Sequence, residues 1–75
     1  MRAYVFINVK AGKTKEVAER LRELDGVKAA DPCWGTPDII AVVEVKNESA
    51  LKDLVLTRMQ GLPGVEHTDT HKTLD

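Results

Sequence analysis

Ile39-Ile40-Ala41-Val42-Val43-Glu44-Val45 is the most strand-like stretch of this 75-residue chain. β-Branched residues dominate it, and their side chains pack well on a pleated surface. Alternation sends Ile39, Ala41, Val43 and Val45 to one face and Ile40 and Val42 to the other. Both sets are apolar, and a strand apolar on both sides is normally covered on both sides. Residues 39–45 therefore belong in the middle of a sheet. Ala3-Tyr4-Val5-Phe6-Ile7-Asn8-Val9 reads the same way, with Ala3, Val5, Ile7 and Val9 on one face and Tyr4 and Phe6 on the other.

Working outward from 39–45, Gly35-Thr36-Pro37-Asp38 forms a four-residue turn suited to a hairpin. The strand before it, Val27 to Trp34, is weaker, because Pro32 supplies no backbone donor. Between the first two strands, Ala11-Gly12-Lys13 breaks the chain and a helix follows from Thr14 to Leu24. Val17, Leu21 and Leu24 fall at i, i+4 and i+7, and Asp25-Gly26 ends the helix with a residue free to adopt the left-handed cap. Downstream, Asn47 or Ser49 can cap a second helix with Leu51, Leu54, Val55 and Met59 on one face. Leu62-Pro63-Gly64 closes it, and Val65 to Thr73 makes a polar last strand.

The order is β-α-β-β-α-β. Right-handed crossovers place both helices on one face of the sheet and give a ferredoxin-like α+β fold, a single domain over residues 1–75. The antiparallel strand order is then 4-1-3-2, with the two doubly apolar strands central. The edge strands carry Lys28, Asp31, Glu66, His67, Asp69 and Lys72 instead. Two helices cover one face only, so Tyr4, Phe6, Ile40 and Val42 are left without a cover from this chain. Contiguous apolar patches are uncommon on monomers. A second copy packed face to face supplies the missing layer, and a homodimer through this face is expected. Size points the same way, because a chain this short builds a marginal core and needs supplementing. Its single cysteine, Cys33, excludes an internal disulfide framework or a multi-Cys zinc site.

The formal charge is −1, from 11 Lys+Arg against 12 Asp+Glu, with no basic stripe of the kind that neutralises phosphates. Direct nucleic-acid binding is not expected. No apolar run approaches the roughly 20 residues that span a bilayer. Met1-Arg2-Ala3-Tyr4-Val5 enters a strand directly, without a signal-peptide pattern, so a cytoplasmic location is expected. There is no Ser/His/Asp arrangement, no phosphate loop and no Cys-x-x-Cys, and no catalytic residue or cofactor is assigned. His67-x-Asp69-x-His71 looks metal-like, but residues four apart on a strand stand about 13 Å apart, too far for one ion. It reads as a solvated edge face, and no metal is assigned.

Three stretches carry a resemblance to a known family. Ala3-Tyr4-Val5-Phe6-Ile7-Asn8-Val9-Lys10, followed by Gly12, resembles the opening of the Lrp/AsnC effector domain, also called the RAM domain. Gly35-Thr36-Pro37-Asp38-Ile39-Ile40-Ala41 is similar to that family's Gly-x-x-Asp turn and the strand after it. Leu62-Pro63-Gly64-Val65-Glu66, with Thr68 and Thr70, is similar to its closing segment. The three occur in register across essentially the whole chain. The resemblance implies face-to-face dimers that assemble further into octamers or decamers, with an amino acid bound between dimers near the Gly-x-x-Asp turn. Full members also carry a DNA-binding helix-turn-helix. This chain opens at the first strand and is expected to be a stand-alone effector domain, able to co-assemble with full-length Lrp/AsnC regulators.

The candidate ligand site is Trp34, Gly35, Thr36, Pro37 and Asp38 with Thr68 and Thr70. Glycine permits close backbone approach, exposed amides and the Thr36 hydroxyl suit a carboxylate, and Asp38 suits an α-amino group. The plainer reading is a hairpin turn in which Asp38 caps its own backbone. Thr68 and Thr70 share one strand face, and threonine is also simply a good strand residue. Trp34 borders the turn and can line a pocket or pack against a neighbouring subunit. Cys33 reads as a small filler residue. The rival class is a small dimeric α/β-barrel enzyme resembling the antibiotic-biosynthesis monooxygenases. Of its candidate interior positions, Tyr4, Phe6, Ile40 and Val42, only Tyr4 is titratable. A third reading is an assembly domain without a ligand.

Overall fold

The computed structural model describes residues 1–74. Its elements are β1 (Arg2–Val9), α1 (Thr14–Arg22), β2 (Val27–Pro32), β3 (Ile39–Glu44), α2 (Glu48–Lys52) and β4 (Val65–Lys72). Helix α2 continues directly into a π-helical stretch, Asp53–Met59. The sheet runs β2-β3-β1-β4, the expected order read from the other edge, with every pairing antiparallel.

The two doubly apolar strands are the central pair. On β1 and β3 the alternate residues Ala3, Val5, Ile7, Val9, Ile39, Ala41 and Val43 are buried beneath the helices. Helix α1 contributes Val17, Ala18 and Leu21 to that layer; α2 and its continuation contribute Leu51, Leu54, Val55 and Met59. At ~25 cal/mol per Å² of apolar surface removed from water, this single layer supplies most of the folding drive. Asn47 provides the second cap: its Oδ1 accepts from the Ala50 N–H at 2.9 Å. The π stretch shows in the Gln60 N–H, which donates to the Val55 carbonyl five residues back at 3.0 Å. Nothing in the residue pattern marks that widening. Strand β2 stops at Pro32, two residues short of the expected end, and one further hydrogen bond, from the Cys33 N–H to the Asp38 carbonyl, leads into the turn.

Candidate functional site

The turn at 34–37 is closed by the Cys33 N–H donating to the Asp38 carbonyl at 2.8 Å. Asp38 then ties the turn to the end of β1 twice. Its N–H donates to the Ile7 carbonyl at 3.0 Å, and its Oδ2 accepts from the Val9 N–H at 2.8 Å. The carboxylate therefore caps the neighbouring strand and not its own backbone, which corrects the simpler turn reading. One carboxylate oxygen is used in this way, and the group retains further acceptor capacity. Gly35 takes φ +104°, in the region that favours glycine, and the space beside its Cα is open. The Thr36–Pro37 peptide is cis. Thr36 is exposed, and Trp34 stands wholly in solvent at 104% relative exposure. Cys33 is half-buried, with its Sγ 3.4 Å from the Asp31 carbonyl.

Thr68 and Thr70 share a face, as alternation requires. In register they stand opposite Ile7 and Val5, so that face is the helix side. The Thr68 Oγ1 accepts from Gln60 Nε2 at 2.7 Å. Thr70 lines a shallow depression of about 180 Å³ with Leu51, Lys52, Val55 and Leu56. Ile39, Ile7 and Thr68 form one rung across β3, β1 and β4, which sets Thr68 two strands, roughly 10 Å, from the turn. One protomer does not gather the turn and the two threonines into a single pocket.

On the opposite face the sheet is open. Phe6, Ile40 and Val42 are half-buried, and Tyr4 keeps 36% of its surface exposed. Arg2 sits 5.7 Å from the Tyr4 ring centroid and pairs with Glu44 at 4.0 Å. Both contacts are solvent-exposed and weakly stabilising. Register adds residues the sequence reading had placed on a solvated edge. His71 stands opposite Tyr4 and Asp69 opposite Phe6, so both belong to the open face. The His71 ring lies 4.9 Å from that of Phe6, and its Nε2 is 3.1 Å from Asp69 Oδ2. The face therefore holds more titratable groups than Tyr4 alone. No sequence signal except the β1–β4 register could have placed them. Among the described residues, no group of three His, Cys, Asp or Glu side chains is arranged to hold a metal ion.

Comparison with known proteins gives one consistent result. The family model described as the Lrp/AsnC ligand binding domain matches residues 2–75. An uncharacterized HTH-type transcriptional regulator of Pyrococcus furiosus, PF1231, is 32% identical over 68 residues, covering 91% of this chain and 46% of that protein. The chain spans about half the length of the curated relatives it matches. Among solved structures, TTHA0845 of Thermus thermophilus superposes with a TM-score of 0.93 at 28% identity. That match covers 99% of this chain and 92% of the other. The transcriptional regulator NMB0573 of Neisseria meningitidis, solved as a complex with L-Met, shares the fold at TM-score 0.86 and 18% identity. There the match covers 99% of this chain and 49% of the other.

Proposed function

The chain belongs to the Lrp/AsnC ligand-binding-domain family, and from that membership we propose a homo-oligomeric regulatory module that takes a free amino acid at the 34–38 turn. The observation that carries the reading is the state of that turn. Its base is clamped to β1 through the Asp38 carboxylate, while Trp34, Gly35 and Thr36 are presented outward. A wholly exposed tryptophan on a braced loop suits a site completed by a neighbouring copy. Backbone N–H groups and the Thr36 hydroxyl meet the ligand's carboxylate, and the unused Asp38 acceptor capacity meets its ammonium group. Thr68 and Thr70, remote from the turn within one protomer, reach such a ligand only from another copy. Binding of L-Met by the Neisseria regulator of the same fold is in keeping with this ligand class.

Copies pair through the open face of Tyr4, Phe6, Ile40 and Val42 and assemble further, and the same face admits full-length Lrp/AsnC regulators. The curated relatives' designation as HTH-type regulators motivates that last step, which operates in the cytoplasm. A thermal-shift screen against the twenty amino acids tests the ligand reading, because a ligand of the folded state raises the midpoint. One or a few side-chain classes are expected to raise it at millimolar concentration. A flat response to all twenty makes this a ligand-free assembly domain. Co-purification with a family regulator from the source cell is the corresponding test of co-assembly.

A further inference from the structure

Phe6 stands in a rung that crosses the whole open face: Asp31, Ile40, Phe6 and Asp69. The next rung is Ala29, Val42, Tyr4 and His71. An apolar square of Tyr4, Phe6, Ile40 and Val42 is thus bordered by an acid on each edge, and by imidazole only on the β4 edge. Alternation puts His67 on the same face, opposite Asn8. Of the two imidazoles flanking Asp69, His71 is the one oriented to it, at 3.1 Å. The other charges around His71 are compensated or distant. Arg2, 5.7 Å from the Tyr4 ring centroid, is offset by Glu44 at 4.0 Å. Lys28 lines a shallow depression with Glu44 and Lys46 at the start of β1. Lys72, next along β4, is turned to the helix side and held by Glu48 at 2.6 Å. Asp31 lies three strand spacings from Asp69, about 14 Å, where salt screens it. The charge of the β4 border is therefore decided between His71 and Asp69.

We propose that the His71–Asp69 pair makes the face-to-face contact proton-linked, so that copies pair more tightly with His71 protonated than with His71 neutral. This rests on the pairing through Tyr4, Phe6, Ile40 and Val42 given above. Two contacts favour the charged ring. Asp69 Oδ2 accepts a charge-assisted hydrogen bond from Nε2, and the Phe6 ring, 4.9 Å away between centroids, attracts a cation. In the single protomer both charged groups are exposed, and water weakens these contacts. A second sheet laid on the face removes that water, because sheets packed face to face stand only about 10 Å apart. With His71 charged, the border enters the interface as a compensated pair. With His71 neutral, each copy brings an uncompensated Asp69 carboxylate, and burying an unpaired charge is costly. Association therefore takes up as much as one proton per copy. The gain is present where His71 is charged and is lost as pH rises through its titration. In strong acid Asp69 is protonated and the pair is lost again. Pairing is tightest in mildly acidic solution and loosens above neutrality.

The test is the dimer dissociation constant from sedimentation equilibrium at about pH 8 and about pH 6, on either side of the ordinary imidazole range. Native circular dichroism is checked at both. The wild type is expected to pair roughly tenfold more tightly at the lower pH. His71→Gln is expected to keep the weaker constant at both. Asp69→Asn reverses the response: it is expected to pair tightly at the higher pH and to loosen on acidification, when the His71 charge loses its partner. His67→Gln is expected to respond as the wild type does. A wild-type dimer with one constant at both pH values overturns the linkage and leaves the face contact standing. A full response surviving in His71→Gln does the same. A wild type that is monomeric at both overturns the face contact, and the linkage with it. Reciprocity supplies a second readout on the unmodified chain. The NMR titration of the His71 ring is expected to move to higher pH as protein concentration is raised and copies pair. A curve independent of concentration across the monomer–dimer range overturns the linkage.

Discussion

Asp38 concentrates three backbone ties within one residue, and the Val9 N–H at the end of β1 depends on its carboxylate at 2.8 Å. Removing that acceptor leaves a part-buried donor unsatisfied, a loss of about 1–3 kcal/mol. Asp38→Ala is therefore expected to lower stability in urea unfolding by that amount, and Asp38→Asn by less because its amide oxygen still accepts. A midpoint unchanged in Asp38→Ala would remove the clamp from the account. Trp34 behaves oppositely. With its side chain wholly in solvent, Trp34→Ala should leave protomer stability within about 0.5 kcal/mol while weakening any amino-acid shift in the thermal screen. The turn itself was legible in Gly35-Thr36-Pro37-Asp38, because glycine, proline and aspartate punctuate a chain locally. The partner of the Asp38 carboxylate was not, because it lies 29 residues away in sequence.

Element positions followed from periodicity, since Val17 and Leu21 on α1, and Leu51, Leu54, Val55 and Met59 beyond, all lie in the core. What periodicity does not carry is how strands are set against each other. His67, Asp69 and His71 read as an edge face until the pairing Tyr4 with His71 and Phe6 with Asp69 put them on the open face. Met59 ends the π-helical stretch and is fully buried, so Met59→Ala should cost roughly 2–5 kcal/mol in chemical denaturation. Strand β4 is tied to α2 by Lys72 Nζ donating to Glu48 Oε1 at 2.6 Å. That hydrogen bond, then the charge of Lys72 and more weakly that of Lys52, holds the Glu48 carboxyl below its ordinary value of 4.5. A carboxyl lowered in the folded state adds stability above the ordinary carboxylate range and loses it as pH falls through the lowered value. Glu48 is fully exposed, so the effect on stability is small and screened by salt. Its own titration is the clear readout: in Lys72→Gln, an NMR titration of Glu48 should move up toward 4.5, and an unmoved curve would contradict the tie.

The whole molecule is a half-covered sheet. Helices bury one face of β1 and β3 completely, and the other presents Tyr4, Phe6, Ile40 and Val42 without a layer of its own. Strand order and the two-sided apolar pattern made that legible from sequence, because the doubly apolar strands are the ones at the centre. The proposed ligand site was legible only as a turn with suitable chemistry, since the threonines grouped with it sit two strands away in the same protomer. In the proposed function, assembly covers the face and completes the site. The most direct test is the sedimentation mass of the wild-type chain at micromolar concentration. Species of at least two copies of the 8.3 kDa chain are expected, and an 8.3 kDa species alone would contradict the account.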